Sequence, residues 1–144
     1  MYEVKVTSVE YAVFIHATED QYKVIKAIEN IMPPRLRERK NMTIEEAYGH
    51  YDNPIRILRV SFRNPEQAHE ALLWIWKRLS DDDRDYLLRN LDLHLNEKMK
   101  LYIRLDKQDA FLGTYRLSTA DDVIKVKFNF KGLKNTIREF LKKL

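Results

Sequence analysis

The chain contains no cysteine, which excludes disulfide bonds, zinc sites built on thiolates and cysteine nucleophiles. The absence of cysteine is typical of a reducing compartment, so we expect a cytoplasmic protein. Only three glycines are present, and none belongs to a glycine-rich loop of the kind that holds phosphates. No apolar run approaches the length that spans a bilayer, and the alternating N-terminal residues predict no signal peptide.

The chain has 144 residues, enough for a hydrophobic core, and we expect one domain over residues 1–144. The formal net charge is +4, from 26 Lys and Arg against 22 Asp and Glu. The scarcity of glycine, glutamine and cysteine beside so many charges is typical of thermophilic proteins. The basic residues are unevenly spread, because residues 123–144 contain seven of them and a single Glu. Such a concentration predicts a polyanionic partner better than the net charge does.

Two stretches alternate between apolar and basic residues, which predicts two strands with one apolar and one cationic face each. In the first stretch, predicted as a strand over 97–105, the cationic face consists of Lys98, Lys100, Tyr102 and Arg104. In the second, predicted over 123–130, Lys125 and Lys127 alternate with Ile, Val and Phe. Neither cationic face contains Asp or Glu. Unpaired cations beside a tyrosine favour binding of RNA phosphates and exposed bases; a merely solvated sheet face is the alternative.

The remaining periodicity predicts an α+β fold. The predicted order is strand, helix, strand, strand, helix, helix, strand, strand, helix, and each helix has a single apolar stripe. We therefore expect a single mixed or mostly antiparallel sheet with the helices packed on one face. A phase change near Ser8 predicts a β-bulge in the first strand. Thr18 and Gln21 predict a capping box at the first helix.

A second basic patch follows Pro33 and Pro34, which are expected to end the first helix. We predict a loop over 35–40, whose cations are Arg35, Arg37, Arg39 and Lys40. Arginine side chains match the geometry of phosphates, which favours a clamp on an RNA backbone. An ordinary exposed loop is the alternative interpretation.

The turn from Gly49 to Ile55 is the most distinctive one in the sequence, because it combines a rare glycine with an Asn-Pro pair. His50 and Tyr51 are suited to contact RNA bases or ribose hydroxyls. His50 with Asp52 also has the composition of an acid–base or metal pair, but a structural turn bonded to its own backbone is favoured over catalysis. The four histidines show no metal-ligand spacing, so we expect no metal and no cofactor.

Two segments, residues 49–55 and 104–110, resemble an archaeal family of RNA-binding proteins predicted to accompany the exosome, and the similarity spans nearly the whole chain. The resemblance implies an α+β fold like that of the ribosomal protein that binds 5S RNA, an RNA-related role and no known catalysis. The matching positions are His50, Asn53, Pro54, Arg104, Asp106, Lys107 and Gln108. Through them the resemblance supports His50 as an RNA-binding residue and adds Lys107.

The sequence thus predicts a non-catalytic RNA-binding protein, an accessory factor of an exosome, other RNA-processing or ribosome-related complex. RNA is the expected partner, and the oligomeric state is left open between monomer and homodimer. One alternative is a protein-interaction subunit whose basic face docks an acidic partner or a second copy of the chain. The other alternative is an RNA-processing enzyme that uses His50 and Asp52.

Overall fold

The computed structural model of the chain describes residues 3–38, 40–48 and 54–144. Its strands are β1 (Lys5–Ile15), β2 (Asn41–Tyr48), β3 (Pro54–Phe62), β4 (Lys100–Asp106) and β5 (Val123–Lys131). They form a five-stranded sheet in the order β2-β3-β1-β5-β4, and every neighbouring pair is antiparallel. The helices are α1 (Gln21–Asn30), α2 (Pro34–Arg37), α3 (Pro65–Arg78), α4 (Asp81–Arg89), α5 (Leu91–His94), α6 (Lys107–Phe111) and α7 (Lys134–Lys142). The predicted α+β class with a single sheet is confirmed.

The hydrophobic core lies between one face of the sheet and the helices. Alternate strand residues point into it, and the following are among those that are buried: Tyr11, Val13, Leu58, Val60, Ile103, Val126 and Phe128. Helix residues such as Ile28 of α1, Leu72 of α3 and Ile137 of α7 belong to the same core cluster. We call this side of the sheet the covered face. The opposite side carries the remaining strand residues and is called the open face.

Local signals in the sequence account for most element boundaries. The register of β1 against β5 shifts between Val6 and Ser8, which confirms the predicted bulge. The side chains of Asn64, Ser80 and Asp106 each accept a backbone hydrogen bond at the start of α3, α4 and α6. The predicted capping box at Thr18 is wrong. Asp20 caps α1 instead, and its carboxylate accepts the N–H of Tyr22 at 2.9 Å.

The strand predicted over 97–105 begins only at Lys100, because residues 96–99 form a tight turn. The N–H of Asn96 donates to the carbonyl of Lys100 at 3.0 Å, and the Asn96 side chain accepts from the N–H groups of Lys98 and Lys100. Met99 adopts a left-handed conformation with φ of 58°. Lys98 therefore lies in a turn and does not share the strand face of Lys100, contrary to the prediction.

The outer edge of β4 is paired at both ends by short bridges, Leu95 to Leu101 and Leu105 to Leu117. From that edge the chain must reach β5, which lies on the inner side of β4. Residues 119–122 make this connection, and we call them the crossing segment. They pass one end of the open face, where Thr119, Ala120 and Asp121 line a groove together with side chains of β1, β3, β4 and β5. No helix in the described ranges is long and apolar enough to cross a membrane.

Candidate nucleic-acid interface

The pairing of β4 with β5 brings the two cationic strand faces together on the open face. Tyr102 lies opposite Lys127 and Arg104 opposite Lys125, while Lys100 lies opposite Asn129. The apolar residues that alternate with these cations along β4 and β5, such as Ile103 and Val126, are fully buried on the covered face. The prediction that these two strands lie side by side in one sheet is thus confirmed.

Tyr102 is the centre of this cationic group. The guanidinium carbon of Arg104 lies 5.6 Å from the centre of the Tyr102 ring, and the ammonium nitrogen of Lys125 lies 6.0 Å from it. Both distances are within the range of a cation–π attraction. Within the described part of the chain, Lys100, Arg104 and Lys125 form no ion pair with a carboxylate. Their charges are therefore available to an anionic ligand.

The expectation that no carboxylate faces these cations is wrong at one position. Glu10 of β1 lies opposite Lys127 in the register, and its Oε1 atom is 3.9 Å from Nζ of Lys127. On β3, Arg59 forms a diagonal ion pair at 3.3 Å with Glu45 of β2, which lies two residues along the strand from the position opposite Arg59. The basic character of the open face is thus concentrated on β4 and the adjoining part of β5. Two cations of the open face, Lys127 and Arg59, form ion pairs with carboxylates.

Two side chains of the open face were missed by the sequence analysis. Phe14 of β1 is 45% exposed, and Arg59 of β3 lies diagonally across from it, opposite Ala12. Both line the groove next to the crossing segment, which has a volume of about 300 Å³ and also contains Arg104 and Lys125. A signal for Phe14 was present, because it belongs to the polar phase of β1 together with Glu10. An apolar aromatic residue in that phase is unusual.

The second basic patch lies on the helical side of the sheet, and its first half, residues 35–37, is helical and not the predicted loop. Arg35 and Arg37 belong to α2, and Arg35 forms an ion pair with Glu70 of α3. The Nε–H of Arg37 donates to the carbonyl of Met32 at 3.1 Å. The ammonium group of Lys40 pairs with Glu29 of α1 at 2.8 Å. These cations hold helices together on the far side of the sheet, so they do not extend the open face. Arg39 lies outside the described residues.

Lys107 is buried, contrary to its predicted role at the surface. Only 4% of it is exposed, and its ammonium group contacts Glu19 at 2.8 Å, Asp122 at 2.8 Å and the carbonyl of Phe14 at 3.0 Å. A buried ammonium group requires such compensation. Because Asp122 ends the crossing segment, Lys107 fastens that segment to β1. It has no free charge to offer to RNA.

His16, Glu19 and Asp122 form the one group within the described ranges that has the spacing of metal ligands. Nε2 of His16 lies 3.4 Å from Asp122 and 3.9 Å from Glu19. The ammonium group of Lys107, however, already binds both carboxylates at 2.8 Å. A metal ion there would have to lie against this buried cation. The cluster is therefore best described as an ion-pair network.

Arg104 also borders a second cavity, of about 230 Å³, on the outer side of β4. His94 of α5 lines this cavity with Asp83 and Tyr86, and its ring stacks edge-on against Tyr86. Burial, and then the positive charge of Arg104, lower the pKa of His94, while the backbone of Tyr102 opposes them. His94 is therefore neutral at pH 7 and adds no charge to the interface.

The turn with His50, Tyr51 and Asp52 lies outside the described residues. The predicted RNA contact of His50 and the alternative acid–base pair of His50 with Asp52 both stay predictions.

Comparison with known proteins places these features in a family. A family model described as RNA binding matches residues 8–130. An RNA-binding protein of Pyrococcus abyssi is 33% identical over 120 residues, which cover 83% of this chain and 78% of that protein. An uncharacterised protein of Methanocaldococcus jannaschii is 38% identical over 126 residues, covering 86% of this chain and 84% of the relative.

Solved structures show the same fold. A protein from Archaeoglobus fulgidus is 27% identical and superposes with a TM-score of 0.82 over 96% of this chain and 99% of its own. A protein from Sulfolobus solfataricus is 30% identical, with a TM-score of 0.79 over 94% of this chain and 95% of its own. The family match extends from the bulge in β1 to the end of β5 and so includes every strand of the open face. The chain therefore belongs to the family described as RNA binding.

Proposed function

We propose that this protein binds RNA without catalysis through the open face of its sheet. The observation that carries the proposal is the Tyr102 ring flanked by Arg104 and Lys125 on two paired strands. Cations that track phosphates beside an aromatic ring that stacks on a base are the two elements of single-strand recognition. The description of the family and the name of the Pyrococcus abyssi relative support the same function.

The charges on the open face favour RNA over an acidic protein as the ligand. Lys100 and Arg104 flank Tyr102 along β4, and Lys125 lies opposite Arg104 on β5. The half-buried ring of Tyr102 thus lies among these cations, and the exposed ring of Phe14 lines the groove that contains Arg104 and Lys125. An acidic protein surface needs the charges but not the rings, whereas unpaired bases need both. A role as an accessory factor of the exosome or of a ribosome-related complex stays a prediction from the resemblance. So does the likeness to the 5S-RNA-binding ribosomal protein.

The test is a comparison of two triple variants with equal loss of charge. The first replaces Lys100, Arg104 and Lys125 with Gln. The second replaces three exposed lysines of the helical side, Lys26, Lys77 and Lys143, with Gln. Binding of a fluorescent single-stranded RNA of mixed sequence is followed by anisotropy over a range of salt concentrations. We expect the first variant to lose most of its affinity and to reduce the slope of log K against log salt by about 2, since each phosphate contact contributes roughly 0.7.

The helical-side variant is expected to bind nearly as well as the parent protein, because its lysines lie in the layer behind the sheet. Equal losses in both variants would mean that only net charge matters. If the open-face variant binds RNA as tightly as the parent, the proposal is wrong. The basic face would then be assigned to an acidic protein partner or to a second copy of the chain, which light scattering distinguishes.

A further inference from the structure

Phe14 is an exposed aromatic residue near the end of the central strand of the sheet. Its strand, β1, is the middle one of five, and its side chain is 45% exposed on the open face. The other large hydrophobic side chains that are exposed in the described ranges lie on helices, on the edge strand β2 or in loops: Tyr22, Met42, Ile44, Leu93, Leu112 and Leu133. A single exposed apolar ring is common on protein surfaces, but this ring also lines a groove that contains cations unpaired within the described residues, which is the composition of a ligand site.

The groove around Phe14 has the size and shape for one nucleotide. Its floor consists of Ala12, Phe14 and Ile57, and the crossing segment forms one wall. Ala12 lies between Lys125 and Arg59 in the register, so its small side chain leaves depth between two long cationic ones. The volume of about 300 Å³ is at the lower end of the range for ligand sites. It is suited to one base with its sugar.

The charges in the groove orient such a nucleotide. Arg104 and Lys125 lie on its β4 side without an ion-pair partner among the described residues, whereas Arg59 is shared with Glu45. Asp121 lies in the wall and repels a phosphate, but it accepts hydrogen bonds from a ribose hydroxyl or a base amino group. The phosphate is therefore expected beside Arg104 and Lys125, which leaves the base above Phe14.

We infer that this groove takes one unstacked nucleotide of a single-stranded RNA, and that a base further along the same strand lies at Tyr102. The inference rests on the proposed function and deepens it. In the register, Phe14 is two strands and four residues away from Tyr102, which is about 16 Å between Cα atoms on a regular sheet. Arg104 and Lys125 lie between the two rings. The bases of a double helix remain in the stack, so the groove selects single-stranded or looped RNA.

The experiment combines Phe14 variants with an RNA in which one abasic nucleotide is moved along a short single strand. Phe14→Ala is expected to weaken binding of the intact RNA about tenfold, since it removes one stacked base. Phe14→Tyr keeps the ring and is expected to bind like the parent. At one position of the abasic nucleotide, the parent protein should bind the RNA about tenfold more weakly than it binds the intact RNA. Phe14→Ala should bind this abasic RNA and the intact RNA equally, because the stacked pair is already lost. A duplex of the same sequence should compete poorly.

Tyr22→Ala is the matched control, because Tyr22 is 81% exposed on α1 and lies in the helical layer. It is expected to leave the affinity unchanged. Phe14→Leu keeps apolar bulk on the strand, so a loss of affinity in a folded Phe14→Leu protein shows that the aromatic ring itself is needed. The slope of binding against salt should be unchanged in all Phe14 variants, since they remove no phosphate contact.

The outcomes separate this inference from the proposed function. If neutralising Lys100, Arg104 and Lys125 abolishes binding while Phe14→Ala and every abasic position leave it unchanged, the nucleotide site is refuted and RNA binding by the open face stands. Equal affinity for the duplex and the single strand would also refute the site. If the triple variant itself binds normally, both fail.

Discussion

The two faces of the same sheet use similar residue types in opposite ways. Tyr11 on the covered face is completely buried, and its hydroxyl group has no hydrogen-bond partner within the described residues. Burial, and then the nearby Tyr115 and Glu70, raise the pKa of Tyr11 far above its ordinary value. Tyr102 on the open face is half-buried between two cations. The covered face is thus organised for packing, whereas Lys100, Arg104 and Lys125 on the open face lie outside the core and form no ion pair within the described residues.

The largest test of this contrast uses two residues that are close together on β5. Phe128→Ala removes a fully buried ring from the covered face and should lower the free energy of unfolding by about 3–5 kcal/mol. Lys125→Ala removes an exposed side chain from the open face and should change it by no more than about 0.5 kcal/mol. Urea denaturation measures both. A large loss of stability in Lys125→Ala would show that the open face also holds the fold together.

An intermediate effect on stability is expected from replacing the buried Lys107, compared with the exposed Lys125. Lys107→Met removes the ammonium group from Glu19, Asp122 and the carbonyl of Phe14 and should lower stability by about 2 kcal/mol. The carboxylates are partly exposed, so water limits the loss. The crossing segment should also exchange its amide hydrogens faster, because Lys107 no longer fastens it.

Lys125→Met is the control for this comparison, because it has the same chemistry on the open face. Neither its stability nor the hydrogen exchange of residues 119–122 should change. Identical exchange in both variants would contradict the role assigned to Lys107.

The smallest effect concerns the two tyrosines. Tyr11→Phe removes a buried hydroxyl group that has no partner and should raise stability by about 0.5–1 kcal/mol, or the melting temperature by about 1–3 °C. Tyr102→Phe should leave the melting temperature unchanged and keep RNA binding, since its ring is retained. Differential scanning calorimetry and anisotropy measure these outcomes. A melting temperature that falls in Tyr11→Phe would mean that the hydroxyl group of Tyr11 is bonded in solution.

The composition of each strand face could be predicted from the sequence, because a strand alternates its side chains with a period of two. That period alone placed Tyr102, Arg104 and Lys125 away from the core. It did not give the register between distant strands, so Glu10 opposite Lys127 could not be foreseen. The burial of Lys107 was hidden for the same reason: its carboxylate partners, Glu19 and Asp122, belong to other parts of the chain.

Local geometry explains the other errors. The turn at residues 96–99 interrupts an alternation that continues in the sequence, and Met99 takes a conformation that usually requires glycine. At the first helix, a hydrogen bond from the N–H of Glu19 to the carbonyl of His16 closes a turn over residues 16–19, which delays the helix until the cap at Asp20. The alternation of β1 places Phe14 on its polar face, so its exposure could be predicted. The groove beside it could not, because the crossing segment that forms one wall is distant in sequence.

The bridges at Leu95 and Leu117 close one edge of the sheet, so only the opposite edge of the described sheet can pair with an added strand. Hydrogen bonds from these flanking segments occupy Lys100, Arg104 and Asp106 along the outer margin of β4, so another strand cannot be added there. Among the described strands, β2 alone presents an unpaired margin. Two copies paired through their β2 strands would have no free sheet edge left to which a third copy could add a strand. Growth by addition of strands to the folded sheet would therefore stop at the dimer.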